Sequence, residues 1–253
     1  MDNMKRAIII GATSGLGREV ARTLASQGVV VGVAGRRVER LVELQEEFGN
    51  EKVHIAEMDV TKECATEQLD SLISQVGEPD LLLYASGIGK QNPELDPAIE
   101  LNTVATNSMG MVRLVTHFLG YVKHSAAYDA KHKAHIAVIT SVAGTKGMGS
   151  APAYSATKSM QSSYLSALAQ YARMYDIPAL FSDIRPGFVA TEILNPEKHY
   201  PMLMTPAEGT RHILKGLRRK KRIIIFDWRF RLLVLFWRLI PRCLWERMTF
   251  VKN

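Results

Sequence analysis

Short apolar runs alternate with longer helical patterns along most of the chain, and this alternation limits the possible folds more than any other feature. Each run is apolar throughout, without the inside and outside alternation of a half-exposed strand. Seven runs predict strands: Ala7–Ile10, Val29–Ala34, Val53–Ala56, Leu81–Tyr84, Ile136–Thr140, Ala179–Ile184 and Ile223–Phe226. Helices are predicted at about residues 16–27, 37–48, 62–76, 98–124, 154–175 and 206–218. Because buried strands joined by helices form parallel sheets, we predict an α/β fold, a doubly wound Rossmann-type parallel sheet with helices on both faces.

No linker rich in Pro or Ser interrupts this pattern, so we predict one domain over residues 1–216 and an extension over residues 217–253 that completes the sheet. An apolar content of 47% with 23% charged residues excludes an intrinsically disordered chain. Neither the two cysteines, Cys64 and Cys243, nor the seven histidines show the spacing of metal ligands, so no metal is expected. The lack of a disulfide framework favours a reducing, cytoplasmic setting.

The net charge of +7 is distributed unevenly. Residues 211–253 contain 13 Lys and Arg against two acids, whereas residues 1–210 contain 19 basic and 23 acidic residues. A mildly acidic body with a basic extension does not suit a general phosphate-binding surface, and we expect no nucleic-acid partner. The apolar stretch Ala7–Ile10 after Lys5-Arg6 is too short for a signal peptide and is interpreted as a buried strand.

A glycine-rich segment, Gly11-Ala12-Thr13-Ser14-Gly15-Leu16-Gly17, joins the first predicted strand to the first predicted helix. The glycines permit a tight turn and a close approach of the backbone to a pyrophosphate, while the helix N-terminus supplies free N–H donors. The alternative is a glycine-rich turn without a ligand. Its position between a strand and a helix favours a dinucleotide site.

The second predicted strand ends at Ala34-Gly35-Arg36-Arg37, where a dinucleotide-binding fold selects its ribose. A carboxylate there would accept hydrogen bonds from a 2′-hydroxyl, whereas a guanidinium can pair with a 2′-phosphate. No acid stands at this strand end, so NADP(H) is favoured as cofactor. The alternative is that Arg36 and Arg37 are solvated residues of a first helical turn.

Tyr154 and Lys158 are four residues apart, which places a phenol and an ammonium on one face of a predicted helix. A neighbouring cation favours the phenolate and brings a tyrosine into a useful range for proton transfer. Ser141, at the end of a predicted strand, supplies a hydroxyl that can hold a substrate carbonyl. The three residues indicate a proton-transfer site for carbonyl chemistry.

In combination these motifs resemble the short-chain dehydrogenase/reductase family, from Lys5 to about Gly216. The resemblance implies oxidoreductase activity and a catalytic tetrad of Asn107, Ser141, Tyr154 and Lys158. By the resemblance, Asn107 holds a water of the proton relay and Lys158 also bonds the nicotinamide ribose.

The resemblance also implies cofactor contacts beyond the glycine-rich segment. Asp59 matches the aspartate that contacts the adenine, and Pro186–Thr191 matches the segment that contacts the nicotinamide amide, with Thr191 as its polar contact. The complete set of expected cofactor contacts is Gly11, Thr13, Ser14, Gly15, Leu16, Gly17, Arg36, Arg37, Asp59, Val60, Gly87, Tyr154, Lys158, Pro186, Gly187, Val189 and Thr191.

Three positions depart from the family pattern. Ile10 stands where the cofactor loop usually begins with threonine, and Ser14 stands where NADP(H)-dependent members often have Arg or Lys. Phosphate recognition is therefore expected to depend on Arg36 and Arg37. The third departure is Tyr84-Ala85-Ser86-Gly87 in place of an Asn-Asn-Ala-Gly motif, so a different brace of the backbone beside the cofactor is expected.

The segment Glu192–Pro206 corresponds to the variable substrate lid of the family. Its apolar residues, two of them methionines, favour a hydrophobic substrate of the steroid, 3-oxoacyl or long-chain-base type. They are Leu194, Tyr200, Met202, Leu203 and Met204. The alternative is that these side chains only pack the lid onto the body. Ile88–Asn92 is a candidate for a further pocket wall.

The extension combines the basic run Arg218–Arg222 with an apolar stretch over residues 230–240. If helical, this stretch is about 16 Å long, half the thickness of a bilayer core, which excludes a transmembrane helix. Arg231, Arg238 and Arg242 fall on one stripe, and the opposite side carries Leu232, Leu233, Phe236, Leu239 and Ile240, with Trp237 beside them. We predict peripheral contact with the inner face of a membrane through residues 218–247. The alternatives are a subunit contact in a homodimer or homotetramer, or a cover for the substrate pocket.

Two functions follow from these patterns. The favoured one is an NADP(H)-dependent oxidoreductase that interconverts a ketone and a secondary alcohol on a hydrophobic substrate. The other is a cofactor-bound scaffold or regulator that the extension recruits to membranes. The intact tetrad favours catalysis.

Overall fold

Seven parallel strands form one sheet within the residues that the computed structural model describes, which are 4–194, 197 and 199–249. The strands are β1 (Arg6–Ile10), β2 (Val30–Gly35), β3 (Val53–Glu57), β4 (Leu81–Tyr84), β5 (Ala134–Ile139), β6 (Ala179–Arg185) and β7 (Ile223–Ile225). Their order in the sheet is β3-β2-β1-β4-β5-β6-β7. The chain therefore moves outward from β1 in one direction and then, from β4, in the other. Loops at the carboxyl ends of β1 and β4 diverge, and this switch point is where such sheets bind ligands.

Helices cover both faces of the sheet. They are α1 (Gly15–Ser26), α2 (Val38–Phe48), α3 (Ala65–Val76), α4 (Pro97–Val104), α5 (Gly110–His124), α6 (Pro152–Met174), α7 (Pro206–Arg218), α8 (Trp228–Leu239) and α9 (Arg242–Trp245). Successive residues of β1 point to opposite faces: Ile8 belongs to the core beneath α3, α5 and α6, and Ile9 to the core beneath α1, α2 and α7. Both faces of the central strands are buried, which is why the strands are apolar throughout. A parallel sheet with helices on both faces confirms the predicted fold class.

The predicted helix over residues 98–124 is divided in the structure. A π-helical turn, Ala105–Met109, separates α4 from α5. The Tyr84 hydroxyl donates to the Thr106 carbonyl at 2.8 Å. A Cβ on Gly110 would lie 2.9 Å from the same hydroxyl, so the chain comes close to β4 here. The apolar pattern continues through the turn, and hydropathy alone therefore does not reveal it.

The extension after α7 joins the sheet and then crosses its carboxyl edge. β7 pairs with β6, with Ile224 beside Ile184. The ends of the two last helices are attached to the loop after β5, because Lys146 Nζ donates to the Ile240 carbonyl at 2.8 Å and Trp245 Nε1 donates to the Gly147 carbonyl at 2.7 Å. Of the helices in the described part of the chain, none is long and apolar enough to cross a bilayer.

Candidate active site

The glycine-rich segment forms a tight turn between β1 and α1. Gly11 has a φ of +91° and Gly15 a φ of +56°, a region that disfavours other residues. The amides of Gly11 and Ala12 donate to the Ala34 carbonyl at 2.8 and 3.0 Å. A Cβ on Gly11 would lie 2.5 Å from the Ser86 amide nitrogen, so the loop after β4 leaves no room for a side chain.

Gly17 lets α1 approach this turn closely, since a Cβ there would overlap the Gly11 carbonyl and lie 3.0 Å from Ala85 Cβ. Ser14 precedes α1 without capping it through its side chain, and Leu16 is buried against the body. The first amides of the helix thus point into a cradle of glycines. This donor set fits the pyrophosphate of a dinucleotide.

Arg37, directly after β2, is held from two sides. Its Nε and Nη2 donate to Thr13 Oγ1 at 3.3 and 3.2 Å, and its Nη1 lies 2.9 Å from Glu192 Oε2. The neighbouring Arg36 is exposed on the side of Asp59. The structure thus places Thr13 and both arginines at one rim of the cradle, together with Glu192, whose presence there has no signal in the sequence.

Asp59 and Val60 follow β3 at the same edge of the sheet. Asp59 Oδ1 accepts from the Thr61 amide at 3.0 Å and the Thr61 hydroxyl at 2.8 Å. The Val60 carbonyl accepts from Arg113 Nη1 at 2.8 Å. These contacts fix the loop on the side of the cradle where the resemblance implies an adenine contact.

Ser141 and Tyr154 meet beyond the end of β5. The Ser141 hydroxyl is close enough to the Tyr154 phenol to act on it as a hydrogen-bond partner, and Ser141 Oγ accepts from the Ala143 amide at 3.1 Å. Burial raises the pKa of the Tyr154 phenol, and the bond with Ser141 lowers it. The net effect on the Tyr154 pKa is therefore opposite to the lowering expected from a neighbouring cation, because burial outweighs the other influences. In the protein alone the phenol is kept protonated, which suits a group that donates a proton.

Lys158 lies one helical turn beyond Tyr154 on α6. Its Nζ donates to the Ile139 carbonyl at 2.9 Å and lies 5.7 Å from the centroid of the Tyr154 ring. Burial lowers the pKa of Lys158 to about 8, and the carboxylate of Asp183 opposes this shift. The ammonium is therefore close to its titration range at neutral pH.

Asn107 is fully buried in the π-helical turn and joins three segments. Its side chain accepts from the Ile88 amide and donates to the Ile88 carbonyl, both at 2.8 Å. Its Nδ2 also lies 3.1 Å from Thr157 Oγ1, and its own carbonyl accepts from Gln161 Nε2 at 2.6 Å. Asn107 thereby fixes the loop after β4 to α6.

The departure at Tyr84-Ala85-Ser86-Gly87 has a visible consequence. Tyr84 braces the π-helical turn through its bond to Thr106, and the small side chain of Ala85 fits against Gly17. A Cβ on Gly87 would lie 3.2 Å from Lys158 Nζ and 3.4 Å from Asn107 Oδ1. Gly87 therefore lies directly beside two members of the predicted tetrad.

The segment after β6 closes the cradle from above. The Pro186 carbonyl accepts from the Val142 amide at 3.0 Å, and the buried Val189 lies between backbone bonds that tie the segment to Met204. Thr191 Cγ2 would lie 3.2 Å from a Cβ on Gly15, so Thr191 is above the cofactor turn. Asn195, Pro196 and Lys198 of the predicted lid lie outside the described residues.

Two neighbouring segments wall the site. The loop after β4 lies against the phenol ring, because a Cβ on Gly89 would be 2.7 Å from Tyr154 Cδ2. The ring of Phe230, on α8, fills the space that a side chain at Gly187 would need. A cavity of about 700 Å³ between α1 and the lid, lined by Gly15 and Thr191, does not include Tyr154 and is therefore separate from the catalytic groups.

Four residues of the site are absent from the predicted catalytic and cofactor-binding residues, although two of them begin the predicted lid and the apolar stretch of the extension: Gln161, Asp183, Glu192 and Phe230. Gln161 has a signal, since it lies seven residues after Tyr154 on the same helix face. The others reach the site from β6, the lid and α8, and only packing brings them there. Within the described part of the chain, no group of His, Cys, Asp and Glu is arranged to hold a metal ion.

Comparison with known proteins finds similarity along most of the chain. A model of the family described as short chain dehydrogenase matches residues 5–200. A relative from Myxococcus xanthus, described as an uncharacterized oxidoreductase, is 29% identical over 249 residues, which cover 96% of this chain and 95% of the relative.

Two solved structures share the fold. The 3-ketoacyl-(acyl-carrier-protein) reductase from Brucella melitensis, complexed with NADH, has a TM-score of 0.78 and 21% identity over 88% of this chain and 96% of its own. The alcohol dehydrogenase from the archaeon Thermococcus sibiricus, complexed with 5-hydroxy-NADP, has a TM-score of 0.74 and 23% identity over the same shares. At these identities the likeness supports the fold alone.

Proposed function

Because this chain belongs to the short-chain dehydrogenase/reductase family of oxidoreductases, we propose that it is an NADP(H)-dependent enzyme that interconverts a ketone and a secondary alcohol on a hydrophobic substrate. The observation that carries the proposal is the assembly of Ser141, Tyr154 and Lys158 beside the glycine cradle at the carboxyl edge of the sheet. A scaffold has no need for a protonated phenol bonded to a serine and next to a buried ammonium.

The chain's own groups divide the proton chemistry among them. A bound nicotinamide dinucleotide would supply the hydride for reduction and accept it in the reverse direction. Ser141 holds the substrate oxygen by a hydrogen bond, and Tyr154 Oη donates its proton to that oxygen as the carbonyl carbon gains the hydride. The Lys158 ammonium then stabilises the phenolate that Tyr154 becomes.

The rim of the cradle supports NADP(H) over NAD(H). The residues that end and follow β2 are Gly35, Arg36 and Arg37, and none of them can accept a bond from a ribose hydroxyl through a carboxylate. Two guanidinium groups there favour a 2′-phosphate. Glu192 works against this preference, because its carboxylate lies on the guanidinium of Arg37 and would repel a phosphate.

We expect Arg37→Ala to weaken NADPH binding by about 10- to 100-fold and to change NADH binding little, since a lost charge-assisted bond costs about 1.5–3 kcal/mol. Arg36→Ala should act in the same direction. Glu192→Gln should strengthen NADPH binding by up to about fivefold, because the exposed ion pair is worth at most about 1 kcal/mol. Fluorescence titration with both cofactors measures these effects.

Arg40→Ala is the matched control, since Arg40 lies one turn along α2 and pairs with Glu43 at 3.5 Å instead. It should leave both dissociation constants unchanged. Equal affinity of the unaltered protein for NADPH and NADH would contradict the NADP(H) proposal.

The apolar surroundings of the site support a hydrophobic substrate. Met202 of the lid packs against the apolar cluster of Val142 and Phe230, next to Ser141. The rings of Phe188 and Phe230 meet edge to face, with 6.1 Å between their centroids. We expect NADPH oxidation with at least one class among ketosteroids, 3-oxoacyl thioesters and 3-ketosphinganine. If the folded protein binds NADPH but reduces none of these or any simple apolar ketone, a scaffold or regulatory role replaces the enzymatic one.

A further inference from the structure

α8 is apolar on two opposite sides. Its inner side packs onto the body, where Phe230 is 1% and Val234 4% exposed. These two residues form a cluster with Val142, next to Ser141, and with Phe188 and Met202 packed against it. The inner side of α8 therefore covers the site. This packing buries only part of the apolar surface of the helix.

The outer side of α8 carries large apolar residues that remain exposed, because no other part of the described chain packs over them. At 3.6 residues per turn they fall within an arc of about 100°. We call them the α8 stripe: Trp228, Leu232, Leu235, Phe236 and Leu239, which are 44% to 70% exposed. Leu244 of α9 continues this surface at 53% exposure. A contiguous exposed apolar patch of this kind marks an interaction surface.

Arginines border the α8 stripe on both sides. Arg229 lies along one border, and Arg231 and Arg238 lie along the other, all of them exposed. The acids of this segment are already engaged, since Asp227 pairs with Arg229 at 2.6 Å and Glu246 with Arg242 at 2.7 Å. Arg229 and Arg242 are thereby neutralised, whereas Arg231 and Arg238 form no ion pair with an acid of the described chain. One border of the stripe is therefore cationic, while residues 1–210 are mildly acidic.

We propose that α8 docks this protein flat on the surface of an anionic lipid bilayer, with the α8 stripe among the headgroups and upper acyl chains. An apolar stripe with a tryptophan and a cationic border of Arg231 and Arg238 matches the chemistry of such a surface. A second copy of the chain fits less well, because a twofold contact places the same patch on both subunits and brings the arginine borders together. The docked helix has the Ser141 loop directly behind it, so the site lies close to the bilayer.

The structure differs from the predicted membrane contact in two respects. Leu233 packs against the inner cluster and the ring of Trp237 contacts that of Trp245, so neither belongs to the α8 stripe. Arg218–Arg222 precede β7, at the amino edge of the parallel sheet, whereas α8 follows β7 at the carboxyl edge. The basic run and the apolar stripe are therefore on different edges, and the charges of residues 218–247 do not act as one surface. Arg231 and Arg238, which border the stripe, are therefore the cations expected to contribute most to the salt-dependent part of the binding.

Co-sedimentation of the full-length protein with vesicles tests the proposal. We expect binding to phosphatidylserine/phosphatidylcholine vesicles at low salt, weaker binding at high salt, and weaker binding still to phosphatidylcholine alone. The double variant Phe236→Ser/Leu239→Ser should need about 100-fold more lipid for half binding, because each side chain contributes about tenfold. Arg231→Gln/Arg238→Gln should reduce binding at low salt and remove most of its salt dependence.

The matched control is Leu95→Ser/Met174→Ser, which removes two side chains of similar exposure, 62% and 67%, from other parts of the surface. It should bind vesicles like the unaltered protein, and circular dichroism should show that all variants are folded. Light scattering, which measures oligomer size, tests the alternative that a second copy of the chain covers the α8 stripe. The proposal is overturned if the Phe236→Ser/Leu239→Ser variant binds vesicles normally, or if its oligomer is smaller than that of the unaltered protein. It is also overturned if the folded full-length protein does not bind anionic vesicles at low salt.

Discussion

Tyr154→Phe is expected to lower kcat for ketone reduction by about 10²- to 10⁴-fold, the range typical of a lost general acid. The substitution removes only the hydroxyl. The ring keeps its place against Gly89 and near the Lys158 ammonium, so NADPH should bind with little change. Stopped-flow oxidation of NADPH measures the rate, and fluorescence titration of the same variant measures cofactor binding.

Tyr164→Phe is the matched control for this result. Tyr164 lies on the same helix, and its hydroxyl is 2.7 Å from Thr116 Oγ1, away from the site. Loss of that hydroxyl should leave kcat within about twofold, because it changes an exposed bond. If Tyr154→Phe retains most of its kcat, Tyr154 does not donate the proton.

Lys158→Met is expected to lower kcat/KM by about 10²- to 10³-fold, as for the removal of one preorganised electrostatic group, and to weaken NADPH binding. It should also change the pH profile of reduction. Because burial lowers the pKa of Lys158 to about 8, the ammonium is present below that pH and is lost above it. The kcat/KM of the unaltered protein should therefore be level at lower pH and fall as pH rises through about 8, since this ratio reports groups of the free enzyme.

In Lys158→Met the decrease of kcat/KM above about pH 8 should be absent, because this variant has no ammonium at position 158 that could be deprotonated. Lys158→Arg provides the comparison, because a guanidinium stays charged at every pH used and should also give no limb near pH 8. Urea denaturation verifies that both variants are folded. A limb near pH 8 that persists in Lys158→Met would assign this titration to another group.

The order of strands and helices could be predicted almost completely because buried parallel strands are apolar throughout, as in Leu81–Tyr84. Local spacing was equally informative for the site. A helix places residues four apart on one face, so Tyr154 and Lys158 had to lie together. The glycines at 11 and 15 indicated a tight turn, and in the structure both have positive φ.

Contacts between distant segments could not be predicted in this way. Arg37 and Glu192 are 155 positions apart, and nothing local to either residue indicates the ion pair. The bond of Tyr84 to Thr106 and the bonds of Asn107 to Ile88 depend on a π-helical turn that the continuous apolar pattern conceals. Each of these contacts is a side-chain bond whose geometry depends on how whole elements pack.

The extension shows most clearly which features are predictable from sequence and which depend on tertiary packing. The sequence by itself determined that a helix over residues 230–240 is too short to span a bilayer and carries its arginines on one stripe, opposite apolar residues. Only the tertiary structure decided which apolar side is used for packing and which is exposed, because Phe230 and Leu232 are equally apolar and differ only in what lies opposite them. It also decided that Arg218–Arg222 and α8 lie at opposite edges of the sheet, since a strand of three residues separates them and carries the chain from one edge to the other.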